Sequence, residues 1–264
     1  MKFLNLLTDE LRRARIFYGL LMISVLLVQA FNIGNMIIRN RQIVREGHPV
    51  ALYLTDFFDS SGLYPMVIGG AAFTLILYAV FIWLREWYFQ RNYMYRLLIL
   101  PGNRAPIAFA KVATILLLMS GLLLLQLGIF YVTHWILQMV FQDNYLGLGV
   151  LLQIAQQFTI SYILFPLHPL TALFNYGFGI CFLLVLMNNC ILIFSYKGHG
   201  LLKTIGLTLV YDVIMLALLI GFFLSIRNPL TTTEVTTMVI VFLVGYLIIH
   251  SGWMYWLMNY YISI

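Results

Sequence analysis

Six stretches of this chain run for roughly 20 residues with almost no charge, the length a helix needs to cross a bilayer. They lie at about 16–38, 66–84, 112–140, 174–196, 201–226 and 235–256, and each is bounded by charge, proline or glycine. Inside lipid every backbone N–H and C=O must be paired within the protein, so runs of this length read as helices. Composition agrees: 62% of the 264 residues are hydrophobic and 9% are charged, against about 25% charged in a soluble domain. That excludes an ordinary cytosolic enzyme, a disordered chain and a disulfide scaffold. The predicted fold class is an all-α polytopic membrane protein with six transmembrane helices in a single domain, 1–264, preceded by an N-terminal interfacial helix over 1–15.

The segment 147–170 is apolar too, but Gln153, Gln156 and Gln157 interrupt it, and Pro166, His168 and Pro169 break any helix that follows. It reads as an external or re-entrant amphipathic segment rather than a seventh span. The basic residues favour the same count. With six spans, one side carries Lys2, Arg12, Arg13, Arg15, Arg85, Arg91, Arg96, Arg104, Lys111, Lys197 and Lys203, and the other only Arg39, Arg41, Arg45 and Arg227. The positive-inside rule then expects a multi-pass protein of the cell membrane with both termini in the cytoplasm. The first span is too long for a signal-peptide core and no small-residue cleavage site follows it, so it is expected to be permanent.

Two cytoplasmic pieces are amphipathic. In the arm MKFLNLLTDELRRAR, Phe3, Leu4, Leu7 and Leu11 share one helical face, while Asp9, Glu10, Arg12 and Arg13 lie mainly elsewhere. Thr8 is the expected N-cap, and the arm is expected to lie along the membrane surface. The run REWYFQRNYMYRLLILPGNRAPIAFAK interleaves Arg85, Arg91, Arg96, Arg104 and Lys111 with Trp87, Tyr88, Phe89, Tyr93 and Tyr95, and contains the breaker Pro101-Gly102. Such a loop is either an aromatic belt with topology-setting arginines or a docking surface. At the bilayer surface the nearer anion is a lipid headgroup, so membrane lipid is an expected partner and nucleic acid is not.

Within the spans, polar groups are few and usually face the bundle interior. Gln126 lies in the third span, Asn188 and Asn189 in the fourth, Asp212 in the fifth and His250 in the sixth. They are either hydrogen bonds between helices or the lining of a cargo cavity, in which Asp212 favours cationic or amphipathic cargo. Tyr211 projects about 100° from Asp212 on a helix, so the two need not be partners. Asp212 and His250 together allow a proton relay in a gradient-driven secondary transporter. The internal repeats usual for such carriers are not seen between the two halves. No HExxH pair, nucleophile elbow or GxxxxGK[ST] phosphate loop occurs, so no catalytic residue, metal ligand or cofactor is expected in this chain. Cys181 and Cys190 sit nine positions apart in one run and form neither a bridge nor a metal pattern.

The stretch Tyr95-Arg96-Leu97-Leu98-Ile99-Leu100-Pro101-Gly102-Asn103-Arg104, with Lys111 seven residues later, resembles the segment between spans two and three of the type-2 ABC exporter permease family. The resemblance extends to the whole architecture of interfacial helix, six spans and internal termini. It implies that 86–104 is a coupling helix seated on a separate ABC ATPase, with Arg91, Tyr95, Arg96, Leu98, Pro101 and Arg104 as coupling residues. It also implies a pair of ATPase subunits carrying the ATP and magnesium, and a second permease chain, identical or paralogous. The implied function is ATP-driven export of an amphipathic cargo (a peptide, an antibiotic or a lipid-like molecule) from the cytoplasm or inner leaflet of a bacterial cell. A gradient-driven carrier and a non-catalytic membrane partner or sensor subunit are the alternatives. The chain departs from the family in the link 227–234, too short for the re-entrant segment several members place between spans five and six.

Overall fold

The computed structural model describes residues 2–45, 52–54, 58, 62–89, 98, 102–141, 145, 149–150, 163–194, 201–226 and 232–262. Six long helices account for nearly all of them: α1 (Lys2–Arg45), α2 (Leu63–Leu84), α3 (Ala105–Phe141), α4 (Pro169–Phe194), α5 (Leu201–Ile226) and α6 (Thr232–Trp256). All six are long and apolar enough to cross a membrane. Among the described residues there is no strand, and a single isolated bridge joins Leu52 to Tyr145. The chain is therefore an all-α, multi-pass membrane protein. Large residues such as Leu20, Phe31, Leu124 and Ile248 face outward, as lipid-facing positions must.

The helix ends add to one expectation and correct another. The N-terminal arm is continuous with the first span, α1 running without interruption for 44 residues. At 1.5 Å per residue that is about 66 Å, roughly twice the hydrocarbon thickness. Thr8 is not the N-cap: its hydroxyl donates to the Leu4 carbonyl at 2.8 Å, inside the helix. The arm lacks a breaker between Thr8 and Ile16, so its helix simply propagates into the span.

At the end of α2 the charges Arg85 and Glu86 do not stop the helix. It continues as a π-helical turn, Arg85–Phe89, and a second such turn, Leu257–Tyr261, extends α6. The Pro101-Gly102 breaker acts as expected at its second residue, where Gly102 adopts φ 104°, a backbone region open to glycine. α3 then begins cleanly. Asn103 Oδ1 accepts from the Ala105 N–H at 2.9 Å, satisfying one of the unpaired donors at the helix start, and Pro106 sits in the first turn where it does no harm. The second half of the coupling segment and the external segment fall mostly outside the described residues: Arg91, Tyr95, Arg96 and Pro101, and 151–162.

The chain divides into two units. One comprises Met1–Leu11, Ile76–Leu116 and Leu173–Ile264, the other Arg12–Leu75 and Leu117–Ala172. The first contains α4, α5 and α6 together with both ends of the chain, and packs Phe222 on Phe242 (centroids 4.1 Å apart) and Phe178 on both. The second contains most of α1, the start of α2 and the body of α3. Its core is built on Phe58, Tyr64, Phe130, Leu137, Phe141 and Tyr145.

Candidate functional site: a buried charge cluster and a polar helix seam

Within the first unit, the beginning of α1, the end of α2 and the beginning of α3 meet through charge. Lys111 Nζ lies 2.8 Å from Glu10 Oε1 and 2.7 Å from Glu86 Oε2, and Arg85 reaches Glu10 Oε2 at 3.0 Å. Lys111 and Glu86 are fully buried and Glu10 nearly so. The ammonium also sits 5.2 Å from the centre of the Trp83 ring, adding a cation–π contact. Two carboxylates against two cations make the cluster neutral in sum, the condition under which charges tolerate burial. Trp83 is itself held by its indole N–H, which donates to Met187 Sδ at 3.1 Å, so the cluster is backed by α4.

This arrangement ties down both roots of the loop that follows α2. One root, Arg85 and Glu86, is clamped to Lys111 and Glu10. The other root is clamped to the end of the chain. Arg104 donates from its guanidinium to the Ile262 carbonyl at 3.0 Å and from its backbone N–H to Asn259 Oδ1 at 2.9 Å, and Asn259 Nδ2 donates to Asn103 Oδ1. Leu98, between the roots, is buried with 1% exposure, packed against its own chain rather than presented outward. Of the six residues expected to couple to a partner, Leu98 and Arg104 are described, and both are engaged internally.

The second feature is a polar seam between α4, α5 and α6. Asn188 Nδ2 donates to the Tyr211 hydroxyl at 2.8 Å and to the His250 carbonyl at 3.3 Å, and the Tyr211 hydroxyl meets His250 Nδ1 in a short hydrogen bond. An amide NH₂ can only donate, so the Tyr211 oxygen accepts from Asn188 and donates its own O–H to Nδ1. That assigns the imidazole proton to Nε2. Tyr246 packs on the His250 ring at 4.1 Å and Trp253 stacks on Tyr211 at 10° between planes. One residue along each helix, Asn189 Nδ2 donates to Asp212 Oδ1 at 2.8 Å.

Asn188, Asp212 and His250 are thus brought onto one seam. Gln126 belongs to the other unit, where it accepts from Gln29 Nε2 at 2.7 Å and faces the Tyr64 hydroxyl at 3.4 Å. Tyr211 is the residue that sequence reasoning set aside. The signal for it was the matched dipeptides Asn188-Asn189 and Tyr211-Asp212. Successive residues point 100° apart, so the first of each pair and the second of each pair make separate bonds. Glu10 and Glu86 were also missed as a site, although buried acids are rare and these are two of only nine Asp and Glu residues.

Chemically, the seam leaves His250 Nε2 and Asn188 Oδ1 buried without a protein hydrogen-bond partner. One donor and one acceptor are therefore available to a polar group lodged there. A cavity on this unit lies elsewhere along α5 and α6, an apolar groove of about 590 Å³ lined by Leu218, Gly221, Phe222, Met238 and Phe242, among others. Among the described residues no group of His, Cys, Asp and Glu is placed to hold a metal. No protein-family model, curated protein or solved structure matches this chain.

Proposed function

We propose that the chain is the membrane-spanning subunit of an ATP-driven exporter, recruiting a separate ATPase through the loop after α2 and working with a second permease chain, identical or paralogous. The observation that carries this reading is the double anchorage of that loop. A segment meant to pass a push from a soluble motor into the spans must not yield at its roots. Here one root is bolted by Glu10, Lys111, Glu86 and Arg85, and the other by Arg104, Asn259 and Ile262. The push would reach α1, α3 and α6 directly, converting a movement at the surface into a rigid-body shift of helices.

On this reading the basic side of the protein faces the cytoplasm of the cell membrane and ATP and magnesium are held by the partner. Cargo is an amphiphile taken from the cytoplasm or inner leaflet, and Asp212 with the Asn188–Tyr211–His250 seam supplies its polar contacts. A gradient-driven carrier is less well supported, since Asp212 and His250 engage separate partners, Asn189 and Tyr211, rather than each other.

The test is gentle solubilisation of the protein from its native membrane, followed by identification of what co-purifies and an ATP-hydrolysis assay of the assembly. The expected result is a soluble ATPase that is lost with Arg96→Glu, while the variant still elutes as the folded membrane subunit. Purification of the protein alone, with transport driven by a pH gradient in the absence of ATP, overturns the reading.

A further inference from the structure

The second unit carries a groove between α1 and α3 whose shape and edge fit one class of ligand. It has a volume of about 590 Å³ and is walled on α1 by Leu26, Ala30, Ile33, Gly34 and Ile37 and on α3 by residues from Leu124 to Ile136. Its width comes from small residues. A methyl group added at Gly34 or Gly128 would meet nothing within 4 Å, so both glycines open onto space.

Length and charge narrow the occupant. From Leu26 to Ile37 the helix rises about 16 Å, and from Leu124 to Ile136 about 18 Å. That is roughly half of a hydrocarbon core about 30 Å thick, the depth of one leaflet. The groove ends where charge begins: Arg39 and Arg41 follow Ile37 on α1 and both are exposed. Among the described residues neither has an ion-pair partner. They stand about 3 and 6 Å further along the axis, at the level of headgroup phosphates, and Arg41, four residues after Ile37, keeps to the groove-facing side while Arg39 projects about 200° from it.

We infer that this groove is a binding site for an anionic phospholipid, with one acyl chain laid between α1 and α3 and its phosphate held by Arg41, one turn beyond Ile37 on the groove-facing side of α1. An apolar slot open to the bilayer takes hydrocarbon in any case. Arg41 at its mouth selects the charge of the head that comes with it, and guanidinium groups bind phosphate oxygens in paired hydrogen bonds. With the topology proposed above this is a lipid of the outer leaflet. The site does not depend on how transport is powered, so its failure and that of the exporter reading are separate results.

The experiment uses the full chain, purified in mild detergent and loaded with phosphatidylglycerol or phosphatidylcholine, with retained lipid counted by native mass spectrometry. Gly128→Leu fills the slot without striking a neighbour at its Cβ, and Arg41→Ala leaves the slot open. Gly128→Leu is expected to lower retention of both lipids. The arginine variant is expected to lower phosphatidylglycerol retention by about fivefold or more and leave phosphatidylcholine unchanged. Circular dichroism and elution volume identical to the parent confirm that each variant is folded, and Gly34→Leu repeats the test from the α1 side. Phosphatidylglycerol retention unchanged in either the slot variants or the arginine variant overturns the site.

Discussion

The Lys111 ammonium lies 2.8 Å from the Glu10 carboxylate, joining two residues 101 positions apart on the first and third long helices. Removing either partner leaves the other charge buried with too little compensation, and such breaks cost about 3–5 kcal/mol. Lys111→Met is the sharper test because it also abandons Glu86. It is expected to lower the thermal unfolding midpoint in detergent far more than Arg85→Gln, whose side chain is partly solvated. Equal midpoints for the two variants would show that the cluster is not what holds the helices together here.

Arg104 predicts an effect at a distance in sequence. Its guanidinium bond to the Ile262 carbonyl is charge-assisted, a type worth about 1.5–3 kcal/mol. Arg104→Ala, which leaves the two Asn259 bonds in place, should therefore loosen this anchorage and make Leu257–Tyr261 more readily cleaved by limited proteolysis than in the parent, with the rest of the helical core surviving. A cleavage pattern identical to the parent would place the anchorage elsewhere.

The seam predicts small energies and a measurable coupling. Hydrogen bonds between membrane helices average about 0.6 kcal/mol and reach about 1.7. Tyr211→Phe and Asn188→Ala are each expected to fall in that range in a reversible unfolding assay. A double-mutant cycle between them should return a coupling energy above about 0.5 kcal/mol, since they share one bond. Strict additivity would mean the two side chains act independently.

Asp212→Asn separates charge from packing. The new amide oxygen still accepts from Asn189, as Asp212 Oδ1 does at 2.8 Å, so stability should change by less than about 1 kcal/mol. If Asp212 meets cationic cargo, the stimulation of ATP hydrolysis by such cargo in the assembled complex should drop while the basal rate holds. An unchanged response across several cationic cargoes would leave Asp212 as a link between α4 and α5.

Two glycines should behave in opposite ways. A Cβ at Gly177 would press on Leu243 Cδ1 at 2.5 Å and Cδ2 at 3.1 Å, and Leu243 is buried. Gly177→Val is expected to destabilise by about 1–3 kcal/mol through overpacking. Gly128→Ala meets open space and gains helix propensity, so it should be neutral or stabilising by up to about 1 kcal/mol. Thermal midpoints of the two variants, measured side by side, check both.

What the sequence determined by itself was the class of fold and the six long apolar helices found among the described residues. Lipid permits only internally paired backbone, so six charge-poor runs of bilayer length leave six helices as the outcome. It also marked Asn188, Asp212 and His250 as costly residues that must find partners. The pairing itself was not legible. Whether Asn188 meets Tyr211 or Asp212 depends on the rotation of α4 against α5, and a 100° step between neighbours makes either equally compatible with the sequence. The burial of Glu10 was read the wrong way for a related reason. Charge in an amphipathic arm ordinarily faces water, and only the arrival of Lys111 and Arg85 from distant helices makes it stable to turn that carboxylate inward. The same holds for the loop after α2. Its aromatic and basic composition marked it as a surface for contact, but that both its roots are clamped, one to the first helix and one to the end of the chain, is a property of tertiary structure, because ion pairs and hydrogen bonds across 75 to 158 residues leave no trace in local pattern.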